Sequence, residues 1–155
     1  MALSLLLIVG FGANVAKAQT FEKSLQKHVK QLCSIESSEN RLDSSVADSL
    51  YSYLQSIGVL MLTDERGDDF KLYNGYGDTL YSRNIVGIIP GYDTNLKDEY
   101  ILIGAHYDRV VPPGANRNMS GVAALEEIAR LVSENKFVFR RSVIIAFFGA
   151  GEFGN

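Results

Sequence analysis

Residues 100–121 read YILIGAHYDRVVPPGANRNMSG. Tyr100–Ala105 is a short apolar run with the character of a buried strand. It feeds straight into His106-Tyr107-Asp108, then a loop, then the first turn of a helix. In open α/β sheets, ligands and chemistry gather at the carboxyl ends of strands. His106 and Asp108 stand two apart, so on a continuing strand they point to the same side. That pairing suits a metal-bound imidazole whose other ring nitrogen is steered by a carboxylate. No other stretch of the chain makes so specific a chemical offer.

Working outward, Ser120–Glu134 has helical spacing. Val122, Leu125, Ile128, Ala129 and Val132 form its inward face, Glu126, Glu127 and Arg130 are expected outward, and Asn118 or Ser120 can cap its start. Ser142–Phe148 (SVIIAFF) is wholly apolar, as befits a strand buried on both faces. Strand, helix and strand from Tyr100 to Phe148 form a crossover unit, so the two strands should be parallel neighbours. His106, the loop Pro112–Ser120 and Glu152 then fall at one sheet edge. Gly114 and Gly121 are expected to serve the backbone, in a tight loop and a close helix–strand approach. Tyr107 and the Phe147-Phe148 pair read as packing residues.

Towards the N-terminus, Asn84–Pro90 is a strand, and the short polar link Gly91–Glu99 favours an antiparallel pair with Tyr100–Ala105. Phe70–Tyr73 and Thr79–Tyr81 are short strand candidates after a charged turn, Asp64–Asp69. Val59–Leu62 reads as another strand. Val46, Leu50, Tyr53, Leu54 and Ile57 share a helix face, with Gly58 at the position of a C-terminal cap. Phe21, Leu25, Val29 and Leu32 mark a further helix. His28 beside that stripe is expected to be a surface or half-buried helix histidine rather than a ligand.

At 155 residues the chain holds one domain at most. A net charge of −3 argues against a nucleic-acid surface, which needs a basic face. Cys33 is the only cysteine, which excludes an internal disulfide and suits a small buried apolar residue. Leu3–Val9 is an uncharged apolar core followed by Ala16-Lys17-Ala18, the small-x-small pattern of a signal-peptidase site, although no Lys or Arg precedes it. The uncharged run from Met1 to Ala16 is short of the roughly 20 residues that a membrane span needs. The expectation is therefore a signal peptide over 1–18, a mature chain from Gln19, no membrane span after cleavage, and a secreted or periplasmic location.

Three segments carry a family resemblance: GAHYDRV, PPGANRNMSGVAALEEIARLV and RRSVIIAFFGAGEFG. In this order they resemble the zinc aminopeptidase family of co-catalytic di-zinc exopeptidases, which includes leucyl aminopeptidases and glutamate carboxypeptidase-like enzymes. The likeness is strongest from Asn84 to Asn155 and looser back to about Phe21. It implies a three-layer helix–sheet–helix α/β fold with a mixed, mostly parallel sheet, of which residues 19–155 are the N-terminal part, incomplete at the C-terminal side. It further implies hydrolysis of N-terminal residues from peptide substrates by two zinc ions. In the family the histidine matching His106 binds zinc, and the aspartate matching Asp108 orients it. A carboxylate in the following Gly-rich loop bridges both ions. A Glu-Glu pair after the next strand supplies a general base and then a ligand, matching Glu152.

The chain departs from this pattern. Arg117 occupies the bridging position, Gly151 the general-base position, and two later ligands lie beyond Asn155. A guanidinium stays charged and cannot ligate a metal. Set where a carboxylate should link two dications, it adds repulsion. His106 and Glu152 are then vestigial metal ligands, and the expectation is weak or absent zinc binding and no hydrolysis by the family route. The alternative is a binding module that keeps the fold. If Arg117 is not solvated, it is expected to turn to Glu152 or Asp108.

Overall fold

The computed structural model describes residues 20–36, 43–64, 68–73, 77, 79–109 and 114–153. The expected signal segment 1–18 lies outside these. In chain order the described elements are α1 (20–33), α2 (Ser44–Ser56), β1 (Leu60–Met61), β2 (Asp68–Tyr73), β3 (Thr79–Ile89), β4 (Tyr100–His106), α3 (Ser120–Glu134) and β5 (Ser142–Phe148). The fold is α/β, with a mixed five-stranded sheet ordered β1-β3-β5-β4 and β2 paired to the far part of β3.

The expected crossover is present. β4 and β5 are parallel neighbours, in register from Tyr100 opposite Ser142 to His106 opposite Phe148. β3 differs from expectation in two ways. Thr79–Tyr81 and Asn84–Pro90 are one long strand rather than two. Its neighbour is β5, antiparallel, rather than β4. The all-apolar β5 has no face fit for water, so it takes the central position between the two strands expected to pair. The charged turn also ends early, since Asp68 and Asp69 already pair with Asn84 and Arg83.

The described helices pack on one face of the sheet, where Ile85, Ile89, Val143, Ile145 and Phe147 meet Leu32, Val46, Leu50, Leu54, Val122 and Leu125. Burying each of these side chains contributes about 2 kcal/mol. Gly58 ends α2 in a left-handed conformation (φ +79°), as its position suggested. Gly121 is not a close-packing site, because a Cβ there would meet nothing. Neither Asn118 nor Ser120 caps α3. A π-helical turn over Ala115–Met119 runs directly into it instead.

Glu126 and Glu127 correct the sequence reading most. They were expected outward, yet both are buried. α3 faces the sheet on one side and α1 and α2 on another, so its acidic stripe is covered. Glu127 accepts from Ser24 Oγ (2.9 Å) and from Arg130 Nε and Nη2 (2.9 and 2.6 Å). His28 Nδ1 lies 2.9 Å from Glu126 Oε2, and its ring meets Tyr53 edge-on at 5.1 Å. Buried carboxylates persist only when paired in this way.

Candidate strand-end site

β4 and β5, being parallel, end at the same sheet edge, and each hands its chain into a turn there. His106 is the last residue of β4 and remains partly exposed. Tyr107 is buried, as its packing role requires. Its hydroxyl donates to Arg83 O (2.6 Å), and burial pushes its pKa up to about 12.

Asp108 is fully buried and organises the edge. Its Oδ1 lies 3.3 Å from His106 Nδ1, the histidine–carboxylate pairing read from the two-residue spacing. The same carboxylate accepts from Gly151 N–H (2.8 Å, Oδ1) and Glu152 N–H (2.9 Å, Oδ2). Asp108 therefore ties the end of β4 to the turn after β5 through backbone amides. Ala150 helps the chain into that turn with a positive φ of 68°. Asn118 Nδ2 donates to Asp108 O, which draws the π-helical turn to the same edge.

Gly151 sits against the imidazole. A Cβ built on it would stand 2.6 Å from His106 Cβ and 2.8 Å from Cγ. No side chain, and so no general-base carboxylate, fits at 151 unless the ring or the turn moves. Gly114, with φ of 66°, opens the loop helix as its backbone role suggested. Arg117 is exposed in the π-helical turn, the solvated outcome among those expected for it.

The pair Arg109–Asp43 was not visible in the sequence. Arg109 N–H donates to Asp43 Oδ2 (2.8 Å), its Nε to Oδ1 (3.1 Å), and Nη2 to Ile35 O (3.1 Å). Both side chains are buried. They join the chain before α2 to the segment after β4 across 66 residues, a separation that no local pattern reports.

The zinc implied by the resemblance meets a poor donor set here. Asp108 is already committed to two amides and one imidazole, and Arg117 offers no lone pair. Among the described residues, no group of three or more His, Cys, Asp and Glu side chains could hold a metal ion. Among the described residues the donor set does not fit a two-metal centre.

The fold and the strand-end edge define a class, the zinc-exopeptidase type of α/β domain. Residues 84–155 match the model of Peptidase family M28. Over 75 residues, 46% of this chain and 9% of the relative, it is 37% identical to transferrin receptor protein 1 of Gallus gallus. Among solved structures it resembles a glutaminyl cyclase of Porphyromonas gingivalis (TM-score 0.69, 24% identity, 86% of this chain and 46% of that one). It also resembles a Zn-dependent exopeptidase of Parabacteroides distasonis (TM-score 0.65, 24% identity, 86% and 48%). A leucine aminopeptidase precursor of Bacteroides thetaiotaomicron is similar as well (TM-score 0.57, 24% identity, 83% and 46%). At these identities the likeness is one of fold. The chain spans about half the length of the solved structures it matches.

Proposed function

We propose that this chain is a metallo-exopeptidase-like domain part that does not hydrolyse peptides by the two-metal route. The single observation that carries this reading is the contact of Gly151 with the His106 ring, which occupies the space a base would need. Loss of a general base alone lowers a rate by roughly 10²–10⁴. Arg117 supports the reading independently, since a cation at the bridging position opposes two dications. His106 and Glu152 are retained as vestigial ligands, with Asp108 as the residue that orients His106.

The solved neighbours named glutaminyl cyclase and leucine aminopeptidase supply the assay panel. Purified chain is equilibrated with zinc, its metal content measured, and turnover followed on a leucyl anilide and on a peptide with N-terminal glutamine. The expected result is zinc well below one equivalent and no chelator-sensitive turnover. Two zinc ions per chain with released N-terminal leucine would sink the proposal.

We further propose secretion or periplasmic export with cleavage after Ala18, on the strength of the Ala16-Lys17-Ala18 pattern. No described helix is long and apolar enough to cross a membrane. N-terminal sequencing of the exported protein is expected to begin at Gln19, and an intact Met1 on exported material would overturn it.

A further inference from the structure

α1 is docked by two kinds of contact. Leu32 is buried in the core, and Leu25, Val29 and Cys33 pack against that core. Beside this apolar seam lies a polar one, where His28 faces groups on two other helices. On α3, Glu126 Oε2 lies 2.9 Å from its Nδ1 and Glu127 Oε2 lies 3.7 Å from its Nε2. On α2, Tyr53 meets its ring edge-on at 5.1 Å, and the Tyr53 hydroxyl donates to Glu126 O at 3.4 Å. The His28 side chain is only 12% exposed, and both carboxylates are buried.

The two carboxylates are not equally provided for. Glu127 has Ser24 and Arg130, and Arg130 also reaches Glu134. Glu126 Oε2 is buried without a hydrogen-bond partner among the described residues, and no described lysine or arginine pairs with it. What stands against it is the imidazole. A buried carboxylate is stable only when its charge is answered, and a protonated imidazole answers it where a neutral one does not. Histidine is the side chain whose charge changes between about pH 5 and 8. Tyr53 takes no part in that change. Burial first, and Glu126 after it, push its pKa up, so its hydroxyl stays neutral.

We propose that His28 is a proton-operated latch that holds the N-terminal part of α1 against α3. With the imidazole protonated, the Glu126 charge is met and the helix is clamped. With the imidazole neutral, a buried carboxylate faces an uncharged ring, and that part of α1 opens more often. Clamping takes up a proton, so it strengthens as pH falls and weakens as pH rises through the histidine range. The far end of the helix is pinned by other means, since Leu32 is in the core and Arg109 Nη2 donates to Ile35 O (3.1 Å). Opening is therefore confined to the first turns and leaves the sheet in place. The latch is independent of whether the strand-end site binds zinc.

The test follows hydrogen exchange of the full chain between about pH 5.5 and 8, corrected for intrinsic exchange, with β5 as internal reference. Protection over residues 20–28 should fall about tenfold relative to β5 across this range, the worth of one charge-assisted contact, while 29–33 change little. His28→Gln and Glu126→Gln should each abolish the pH dependence, the first by removing the proton carrier and the second by removing the charge it answers. In the parent, the His28 ring resonances should titrate together with the loss of protection. They are told apart from those of His106, the other histidine, by their absence in His28→Gln. Protection over 20–28 that does not change with pH overturns the proposal. A pH dependence that survives His28→Gln gives the effect to other groups and overturns it as well. If either variant fails to fold, the parent still decides, because a His28 ring that titrates apart from the exchange step has the same consequence.

Discussion

Asp108 and Glu127 are both fully buried carboxylates, yet they are compensated by different means. Asp108, at the strand-end edge, is held chiefly by two backbone amides, those of residues 151 and 152. Glu127, on the helical side, is held by side chains from α1 and α3. Amides are present whatever side chain stands at a position. The turn over 151–152 can therefore keep its shape around Asp108 although the base at 151 is a glycine. The helical network has no such insurance, because each partner is a particular residue. The comparison sets a strand-end turn that does not depend on the side chain at 151 against a structural joint that depends on each of its members.

The largest effect should come from the helical side. Glu127→Ala removes the carboxylate that joins Ser24 and Arg130, both of them half-buried. Breaking a buried pair by deleting one partner costs about 3–5 kcal/mol. Arg130 keeps Glu134 at 2.6 Å, so the expected loss is near the lower end, about 3 kcal/mol, in a urea titration. Hydrogen exchange should quicken over 20–33 before the sheet opens. A loss under about 1 kcal/mol would mean that the network is worth no more than a surface pair.

Asp108→Ala comes next. It leaves the amides of Gly151 and Glu152 without their acceptor, at a cost of about 1–3 kcal/mol for each group that finds no water. The expected total is roughly 2–3 kcal/mol, with Asp108→Asn recovering about half through its remaining carbonyl oxygen. Equal losses for Ala and Asn would show that charge, rather than amide satisfaction, holds the turn.

Gly151→Ala sharpens the comparison from the side of shape. The added methyl must push His106 aside, and overpacking of this kind costs about 1–3 kcal/mol. The expected loss is about 1 kcal/mol, because His106 is partly exposed and can swing. Its ring resonances should shift while those of Tyr107 stay in place. An alanine that leaves the His106 resonances unmoved would show that a side chain fits at 151, and the observation carrying the proposed function would fail.

The elements legible in the sequence were those with strong local signals. α3 spans Ser120–Glu134 and β5 spans Ser142–Phe148, as the helical spacing and the apolar run indicated. The His106–Asp108 pairing followed from the two-residue alternation of a strand. What failed was decided by distant packing. A short link between β3 and β4 suggested a hairpin, but the sheet needed its most apolar strand, β5, between them. Glu126 and Glu127 looked solvated because helix periodicity shows which face is apolar, and it does not show that α1 and α2 cover the polar one. Asp43 and Arg109, far apart in sequence, gave no signal at all. At the site, the types of residue and the His106–Asp108 pairing were readable, and the other contacts were not. Gly151 stands where the resemblance implies a base, and only the structure shows the imidazole against it.

The smallest effect separates the two carboxylates by pH. The Arg130 guanidinium holds the Glu127 carboxyl below the usual glutamate value, with Ser24 adding to this and burial opposing it. The folded pKa is thus lower than the unfolded one, and the native state binds fewer protons through this range. The stabilisation from Glu127 is complete above the ordinary glutamate pKa and disappears as pH falls through the depressed folded value. The urea midpoint of the parent should therefore exceed that of Glu127→Gln by a constant amount from neutrality down to about pH 5, and the gap should narrow below it. Glutamine keeps the shape and one acceptor oxygen, so the gap reports charge alone. A gap that stays constant or widens on acidification would place the joint's strength in packing and neutral hydrogen bonds, and would remove the contrast with Asp108 on which the comparison stands.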